Sequence, residues 1–157
     1  MARSGRSKSR KKGPVTSNKI KYDGINFASG LERYMYMCLK QAKIKAEYEA
    51  NVYELIPSFQ FPNESFEHQG NGKGDFKNRG GATVRAATYK PDFIGDNFII
   101  ECKGRPNEAF PMRWKLFKKV IAEKHPDITL YMPKNQADCN EVIKLILERR
   151  KDVKQKK

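Results

Sequence analysis

The chain has 157 residues, a length typical of one domain that buries its own core without disulfides or structural metal. Its formal net charge of +14, from 32 Lys and Arg against 18 Asp and Glu, predicts a polyanionic partner, with nucleic acid favoured over an anionic membrane surface. Because no apolar run approaches the roughly 18 residues that span a bilayer, a membrane protein is not expected.

Both ends of the chain are basic and nearly free of apolar residues. Residues 1–19 are expected to form a disordered tail and residues 148–157 a second basic tail. These tails either add salt-sensitive affinity for phosphate groups or only keep the protein soluble. The cysteines form no CxxC pair and no apolar signal region follows the N-terminal charges, so a cytoplasmic protein is expected. The domain then covers residues 20–147.

The first predicted element is a helix over residues 30–45. Apolar side chains such as Leu31 and Leu39 recur there at helical spacing. Ser29 and Glu32, three residues apart, fit a capping box at the start of this helix. This spacing alone explains the glutamate as a capping residue.

The next segment has the composition of β structure. Alternating apolar residues over 47–61 predict a long strand that is interrupted or bent near Pro57. The glycine-rich insertion over 62–82 is either a long loop or the flexible tip of a hairpin.

Two further strands are expected over residues 83–95 and 97–104, joined by a tight turn in the sequence GDN. Antiparallel pairing across this turn brings Asp92 and Glu101 to nearby positions on adjacent strands. Lys103 is two residues beyond Glu101 and therefore faces the same side of the sheet.

The remaining elements are a helix over 111–125, a short strand over 127–133 and a helix over 138–150. Asp138 and Glu141 have the spacing of a second capping box. The order of helices and strands predicts an α/β (α+β) fold with a mixed central β-sheet flanked by helices.

The charged ends of the predicted hairpin are candidates for chemistry. Asp92 and Glu101 offer the oxygen ligands that Mg²⁺ prefers, and the Cys102 carbonyl is a plausible further ligand. Lys103 is placed to orient a water molecule or to offset charge on a phosphate. The alternative is a hairpin whose charged ends are merely solvated, in which Cys102 is a small buried side chain.

The segments Pro91-Asp92 and Glu101-Cys102-Lys103 resemble the signature of the PD-(D/E)xK nuclease superfamily. With the flanking sequences FASGLERYMYMCLKQAKIKAEYE, FIIECKG and RWKLFKKVIAEKHPDITLYM, they resemble the phage endonuclease I family of Holliday-junction resolvases over about residues 20–133. The resemblance implies a restriction-endonuclease-like core and an endodeoxyribonuclease that uses Mg²⁺, with Mn²⁺ able to substitute, to cut branched DNA in phage recombination or replication.

The same resemblance implies that Glu32 completes the metal site of Asp92 and Glu101, a role that can coexist with helix capping. It also implies a homodimer with exchanged strands, in which Glu32 of one chain serves the site of the other. The insertion over 62–82 departs from the family pattern, and it bears on which DNA structure is selected rather than on whether DNA is cut.

The basic residues of the predicted helix over 111–125 include Arg113, Lys115, Lys118 and Lys119. They either contact phosphates that flank the cut or form a solvated helix face. Trp114 between them is expected to be a packing residue. The alternative function is a non-catalytic basic DNA-binding or architectural protein with a nuclease-like fold.

Overall fold

The computed structural model describes residues 19–155, except for the side chain of Lys154. Over this range the chain is a mixed α+β fold with three helices and several small sheets. Apart from Lys19, the predicted N-terminal tail lies outside the described residues. No helix in the described range combines the length and apolar character needed to cross a membrane.

The elements follow one another along the chain as short strands and three longer helices. They are β1 (Ile20–Tyr22), β2 (Ile25–Phe27), α1 (Gly30–Gln41), β3 (Glu47–Tyr48), β4 (Tyr53–Ile56), β5 (Phe59–Phe61), β6 (Phe66–Glu67), β7 (Lys77–Asn78), β8 (Ala82–Val84), β9 (Ala87–Tyr89), β10 (Phe93–Ile94), β11 (Phe98–Ile100), α2 (Phe110–Lys124), β12 (Thr129–Tyr131) and α3 (Gln136–Gln155).

The predicted mixed sheet is present as a four-stranded sheet in the order β12-β11-β10-β3. β10 pairs antiparallel with both β11 and β3, whereas β11 and β12 run parallel. Parallel neighbours require a crossover connection, and α2 supplies it between β11 and β12. The helix predicted over 111–125 is therefore confirmed, and it connects the two parallel strands.

Side chains of β11 alternate between the two faces of the sheet. Phe98 and Ile100 belong to a core cluster with residues of α1 and α3. Ile99 points to the opposite face, where the second cluster contains Phe110 and Phe117 of α2. The sheet thus lies between a layer formed by α1 and α3 and a layer formed by α2.

Helix α1 begins where the sequence predicts and ends before residue 45. Ser29 caps it, because its hydroxyl oxygen accepts a hydrogen bond from Glu32 N at 3.2 Å. The helix ends at Gln41, since Lys43 adopts a left-handed backbone conformation with φ 55° that α-helical geometry does not allow.

Helix α3 is longer than the prediction of 138–150. Asn135 Oδ1 accepts a hydrogen bond from Asp138 N at 2.8 Å, and Asp138 Oδ2 accepts one from Lys134 N at 2.9 Å. The prediction that Asp138 and Glu141 form the capping box is therefore wrong, because Asn135 caps the helix three residues earlier. At the other end, residues 148–155 of the predicted tail are helical.

The predicted bent strand over 47–61 is divided into three short strands, and its last two begin a long hairpin. The pairs β4–β9, β5–β8 and β6–β7 follow one another as a two-stranded ribbon, which we call the β-arm (Tyr53–Tyr89). A register shift between Glu54 and Ile56 bends its base. From Ile56 to Thr88 no residue is buried, and the insertion over 62–82 forms the tip of this hairpin.

The turn between β10 and β11 has the predicted GDN sequence, but its glycine is needed for packing and not for an unusual backbone angle. None of Gly95, Asp96 and Asn97 has a positive φ. A Cβ atom at residue 95 would instead lie 2.2 Å from the Phe98 ring, and that ring is fully buried. Glycine is required here because the aromatic ring packs directly on the backbone.

We expect Gly95→Ala to lower the free energy of unfolding by about 1–3 kcal/mol, the usual effect of overpacking a core. Urea denaturation followed by circular dichroism measures this difference. Gly70→Ala is the matched control, because no atom lies within 4 Å of its added Cβ. Equal stability of the two variants would contradict the packing role of Gly95.

Candidate functional site

The hairpin of β10 and β11 brings two of the predicted site residues together. Phe93 pairs with Ile100, so the preceding Asp92 and the following Glu101 are opposite each other at the end of the ladder. The Cys102 amide donates a hydrogen bond to Asp92 Oδ2 at 2.6 Å. This bond fixes the aspartate side chain against the strand that carries the glutamate.

Lys103 joins this pair on the face of α2. Its Nζ atom lies 3.9 Å from Glu101 Oε1 and 4.7 Å from the centre of the Phe110 ring. The side chain is 29% exposed, so the ammonium group is accessible from solvent while its stem packs against the protein. Asp92, Glu101 and Lys103 therefore form one group of charges, as the sequence predicts.

The Glu101 carboxylate is unusually buried for a charged group. The residue is only 6% exposed, and within residues 19–155 its Oε2 atom has no hydrogen-bond partner. The neighbouring Tyr89 hydroxyl is also buried without a partner of acceptable geometry in the same range. Unpartnered buried oxygens are rare in folded proteins, and they are a feature of sites that bind a further group.

Burial dominates the electrostatics of the carboxylate pair. Desolvation raises the pKa of Asp92 well above its ordinary value, and the negative charges of Glu101 and Glu32 raise it further. Desolvation also raises the pKa of Glu101, with Tyr89 and Lys103 acting in the opposite direction. Burial likewise raises the pKa of the Tyr89 hydroxyl. The site therefore favours protonated carboxyl groups unless a cation is present.

Glu32 is buried at the start of α1, where it is satisfied as a capping residue. Its Oε2 atom accepts hydrogen bonds from Ala28 N at 3.0 Å and from the Tyr48 hydroxyl at 2.6 Å, and its Oε1 atom accepts one from the Ser29 hydroxyl at 2.8 Å. Tyr48 in turn pairs with Phe93, next to Asp92. Glu32 thus acts on its own chain's Asp92 and Glu101 through its charge rather than through contact.

The four basic residues predicted to bind DNA are all exposed on α2. Arg113 donates a hydrogen bond to the Thr88 carbonyl at 2.8 Å and lies 5.6 Å from the Tyr89 ring centre, so it holds the base of the β-arm. Lys119 is 3.8 Å from Glu123. Lys115 and Lys118 project near Trp114, which is mostly buried as predicted.

A divalent cation would find suitable but incomplete ligands in this group. No set of three or more His, Cys, Asp or Glu side chains in the described range is arranged to hold a metal. The donor chemistry nevertheless fits a hard cation, because Asp92 and Glu101 are carboxylates and Glu101 Oε2 makes no hydrogen bond of acceptable geometry in that range, although the Tyr89 hydroxyl is close to this carboxyl group. The Cys102 backbone is tied to Asp92 by its N–H, and the role of its carbonyl stays a prediction.

Sequence reasoning missed Tyr89 and Phe110 as neighbours of the site. Tyr89 ends β9 and stacks on Phe117 with ring centres 4.6 Å apart. Phe110 begins α2 beside Lys103. Neither has a local signal, because both positions depend on how the β-arm and α2 pack against the sheet.

Raised carboxyl pKa values make stability depend on pH. The folded protein binds protons that the unfolded chain releases, so this contribution is complete below about pH 4 and is lost toward neutral and mildly alkaline pH. In EDTA we expect Asp92→Asn to match the wild type at about pH 3.5, below the unfolded-state pKa of an aspartate. At pH 8 the variant should exceed the wild-type free energy of unfolding by about 1.4 kcal/mol or more, the equivalent of one pKa unit.

Urea denaturation at the two pH values provides the measurement. Glu148→Gln removes an exposed carboxylate on α3 and serves as the control. An Asp92→Asn protein less stable than the wild type at pH 8 would refute the destabilising role of the buried charge.

Comparison with known proteins gives one match. A family model described as "Protein of unknown function (DUF1064)" matches residues 12–136, which include every candidate site residue. Neither the curated proteins nor the solved structures contain a match to this chain.

Proposed function

We propose that this chain, which belongs to the DUF1064 family of proteins of unknown function, is a metal-dependent endodeoxyribonuclease that hydrolyses phosphodiester bonds in DNA. One observation carries the proposal: Asp92 and the buried Glu101 are held opposite each other, with Lys103 Nζ 3.9 Å from Glu101 Oε1. Two carboxylates that can hold a divalent cation, with a lysine beside them, suit metal-dependent phosphodiester hydrolysis.

Folding alone does not account for this arrangement. Two adjacent carboxylates in a partly desolvated site repel each other, and burial raises the pKa of both. Such perturbed groups cluster at functional sites, where a ligand offsets the cost. A protein that only bound DNA would gain nothing from a buried carboxyl pair, which lowers stability and repels phosphate when it is ionised, so the site favours catalysis over the non-catalytic alternative.

Each residue has a distinct role in the proposed reaction. Asp92, Glu101 and the Cys102 carbonyl would hold Mg²⁺ or Mn²⁺, with Glu32 contributing negative charge from the start of α1. When bound, the cation supplies Lewis-acid stabilisation of charge on the scissile phosphate. Lys103 donates hydrogen bonds to the attacking water or to a phosphate oxygen and offsets the charge that develops there.

The proposal includes a restriction-endonuclease-like core. Its support is the placement of the PD and ECK segments at the adjoining ends of β10 and β11, neighbouring strands of a mixed four-stranded sheet with α1 on one face and α2 on the other. The net charge of +14 favours DNA as the substrate, and the resemblance to phage junction resolvases favours branched DNA in phage recombination or replication.

We expect Glu101→Gln and Lys103→Ala to lower kcat for DNA cleavage by at least about 100-fold, because each removes a charge needed in the transition state. Binding to the same DNA in Ca²⁺ or EDTA should weaken by no more than about tenfold for Lys103→Ala, far less than the loss in kcat, since most phosphate contacts lie elsewhere. Cleavage is measured with labelled four-way junction, nicked, linear and single-stranded DNA in Mg²⁺ and in Mn²⁺.

Glu148→Gln, with the same charge change far along α3, is the control and should cleave as the wild type does. If the wild type leaves all four DNA structures uncut in both metals but still binds them, the protein is a non-catalytic DNA-binding protein. Equal cleavage by the wild type and Glu101→Gln would also overturn the assignment.

A homodimer belongs to the same proposal, and the β-arm supports it. An isolated two-stranded ribbon is at best marginally stable in water, and this one exposes Phe59, Phe66, Phe76 and Val84. Phe66 and Phe76 are 57% and 64% exposed and have ring centres 6.4 Å apart near the tip. A second copy of the chain, with exchanged strands, would cover this apolar surface.

The double variant Phe66→Ser/Phe76→Ser should weaken the dimer by about tenfold or more, because it removes two exposed aromatic side chains from the contact. Sedimentation velocity at roughly 1–50 μM protein measures the fraction of dimer, because this range covers the dissociation constants of weak to moderate dimers. Val153→Ser, on α3 and 56% exposed, is the control. A wild type that is monomeric throughout this range would disprove the dimer.

A further inference from the structure

A cavity of about 350 Å³ opens beside the carboxylate pair on the α2 face of the sheet. Its apolar lining includes Phe110, Trp114 and Met132. The Phe110 and Trp114 rings are stacked, with centres 6.0 Å apart and planes inclined by 17°. Its volume lies at the lower end of the roughly 300–1,000 Å³ typical of small-molecule sites. Phe110 and Trp114 cover each other's facing sides and are only 7% and 8% exposed, so a flat ring system in the cavity would contact their exposed edges together with Pro106, Pro111 and Met132.

The rim of this cavity is basic. It is formed by four lysines, Lys103, Lys115, Lys118 and Lys134, and no Asp or Glu of the described residues lines it. Lys103 is near Glu101, whereas the other three make no ion pair within residues 19–155. Lys118 Nζ lies 6.0 Å from the Trp114 ring centre. These charges repel one another unless an anion is bound.

An apolar lining with aromatic edges and a basic rim is complementary to a nucleotide. The base supplies a flat ring that packs against the apolar lining, and the phosphate supplies the negative charge. A base inside a duplex cannot reach this surface, because both of its faces are covered by neighbouring bases. The ligand is therefore a nucleotide that is unpaired and unstacked.

We propose that this cavity binds one unpaired nucleotide of the DNA substrate, with its base against Phe110 and Trp114 and its phosphate among the rim lysines. The inference rests on the proposed nuclease function and specifies its substrate. Lys103 belongs to both the cavity and the carboxylate group, so the bound nucleotide lies next to the bond to be cut. The enzyme then selects DNA that has an unpaired nucleotide at the cut, as at a branch, a flap or a single strand.

Trp114 is the only tryptophan of the chain, so its fluorescence reports on the cavity directly. Titrations in EDTA, where no cleavage occurs, would use (dT)6, an abasic oligomer of the same length, a blunt duplex and dTMP. We expect (dT)6 to quench the fluorescence and to bind at least about tenfold more tightly than the abasic oligomer, since the contact of the base with the apolar lining is lost without bases. The duplex should give no quenching.

Lys118→Ala and Lys134→Ala should each weaken (dT)6 binding by about three- to tenfold at fixed salt concentration. Lys124→Ala removes the same charge from α2 outside the cavity, and its affinity should stay within about twofold of the wild type. Equal losses of affinity for (dT)6 in the three variants would show that the lysines act only through the overall positive charge, and would overturn the proposal.

Two other outcomes would also overturn it: equal binding of the abasic oligomer and (dT)6, and dTMP binding as tightly as (dT)6, which would make a free nucleotide the ligand. These results are independent of the nuclease assignment, because cleavage by Glu101→Gln in Mg²⁺ is measured separately. Base-dependent quenching together with an inactive wild type would support the nucleotide-binding site and refute the proposed nuclease activity.

Discussion

The antiparallel pairing of β10 with β11 is the constraint on which the candidate site depends. The register of Phe93 with Ile100 places Asp92 opposite Glu101, and the hydrogen bond from Cys102 N to Asp92 Oδ2 continues the pairing through a side chain. A shift of one residue would turn Glu101 to the face of α1 and α3. The packing of the Phe98 ring on Gly95 opposes such a shift, because it fixes the turn.

The buried carboxylates are held in place by the surrounding structure and do not stabilise it. Glu101 is hydrogen-bonded through its backbone amide to Tyr131 O at 2.9 Å, and Lys103 N donates to Pro133 O at 3.0 Å. The main chain of this segment is therefore fixed by β12 and the residue pair that follows it. This rigid backbone lets the side chains keep a repulsive arrangement that is useful only when a cation offsets it.

The sequence predicted those parts of the structure that depend on local patterns. The turn and the alternation of β11 were enough to bring Asp92, Glu101 and Lys103 together, and Ser29 identified the start of α1. The capping of α3 was predicted wrongly, because both Asn135 and Asp138 are good capping residues and spacing does not choose between them. For residues 62–82 the sequence left open a long loop or the tip of a hairpin, since strands of two or three residues leave little periodic signal. The cavity had no signal, because residues far apart in sequence, Lys103, Trp114 and Met132, form it together.

The two faces of β11 have different roles, one in the core and one in the candidate site. Phe98, Ile100 and Cys102 point into the cluster with α1 and α3, where burial of apolar surface stabilises the fold. Ile99, Glu101 and Lys103 point to the face of α2, where the apolar layer ends and charges begin. Since α2 is the crossover between the parallel strands β11 and β12, its first turn must lie near the end of β11. The same connection that completes the sheet therefore brings Phe110 and Trp114 next to Lys103, so the aromatic cavity and the carboxylate pair share one edge of the fold.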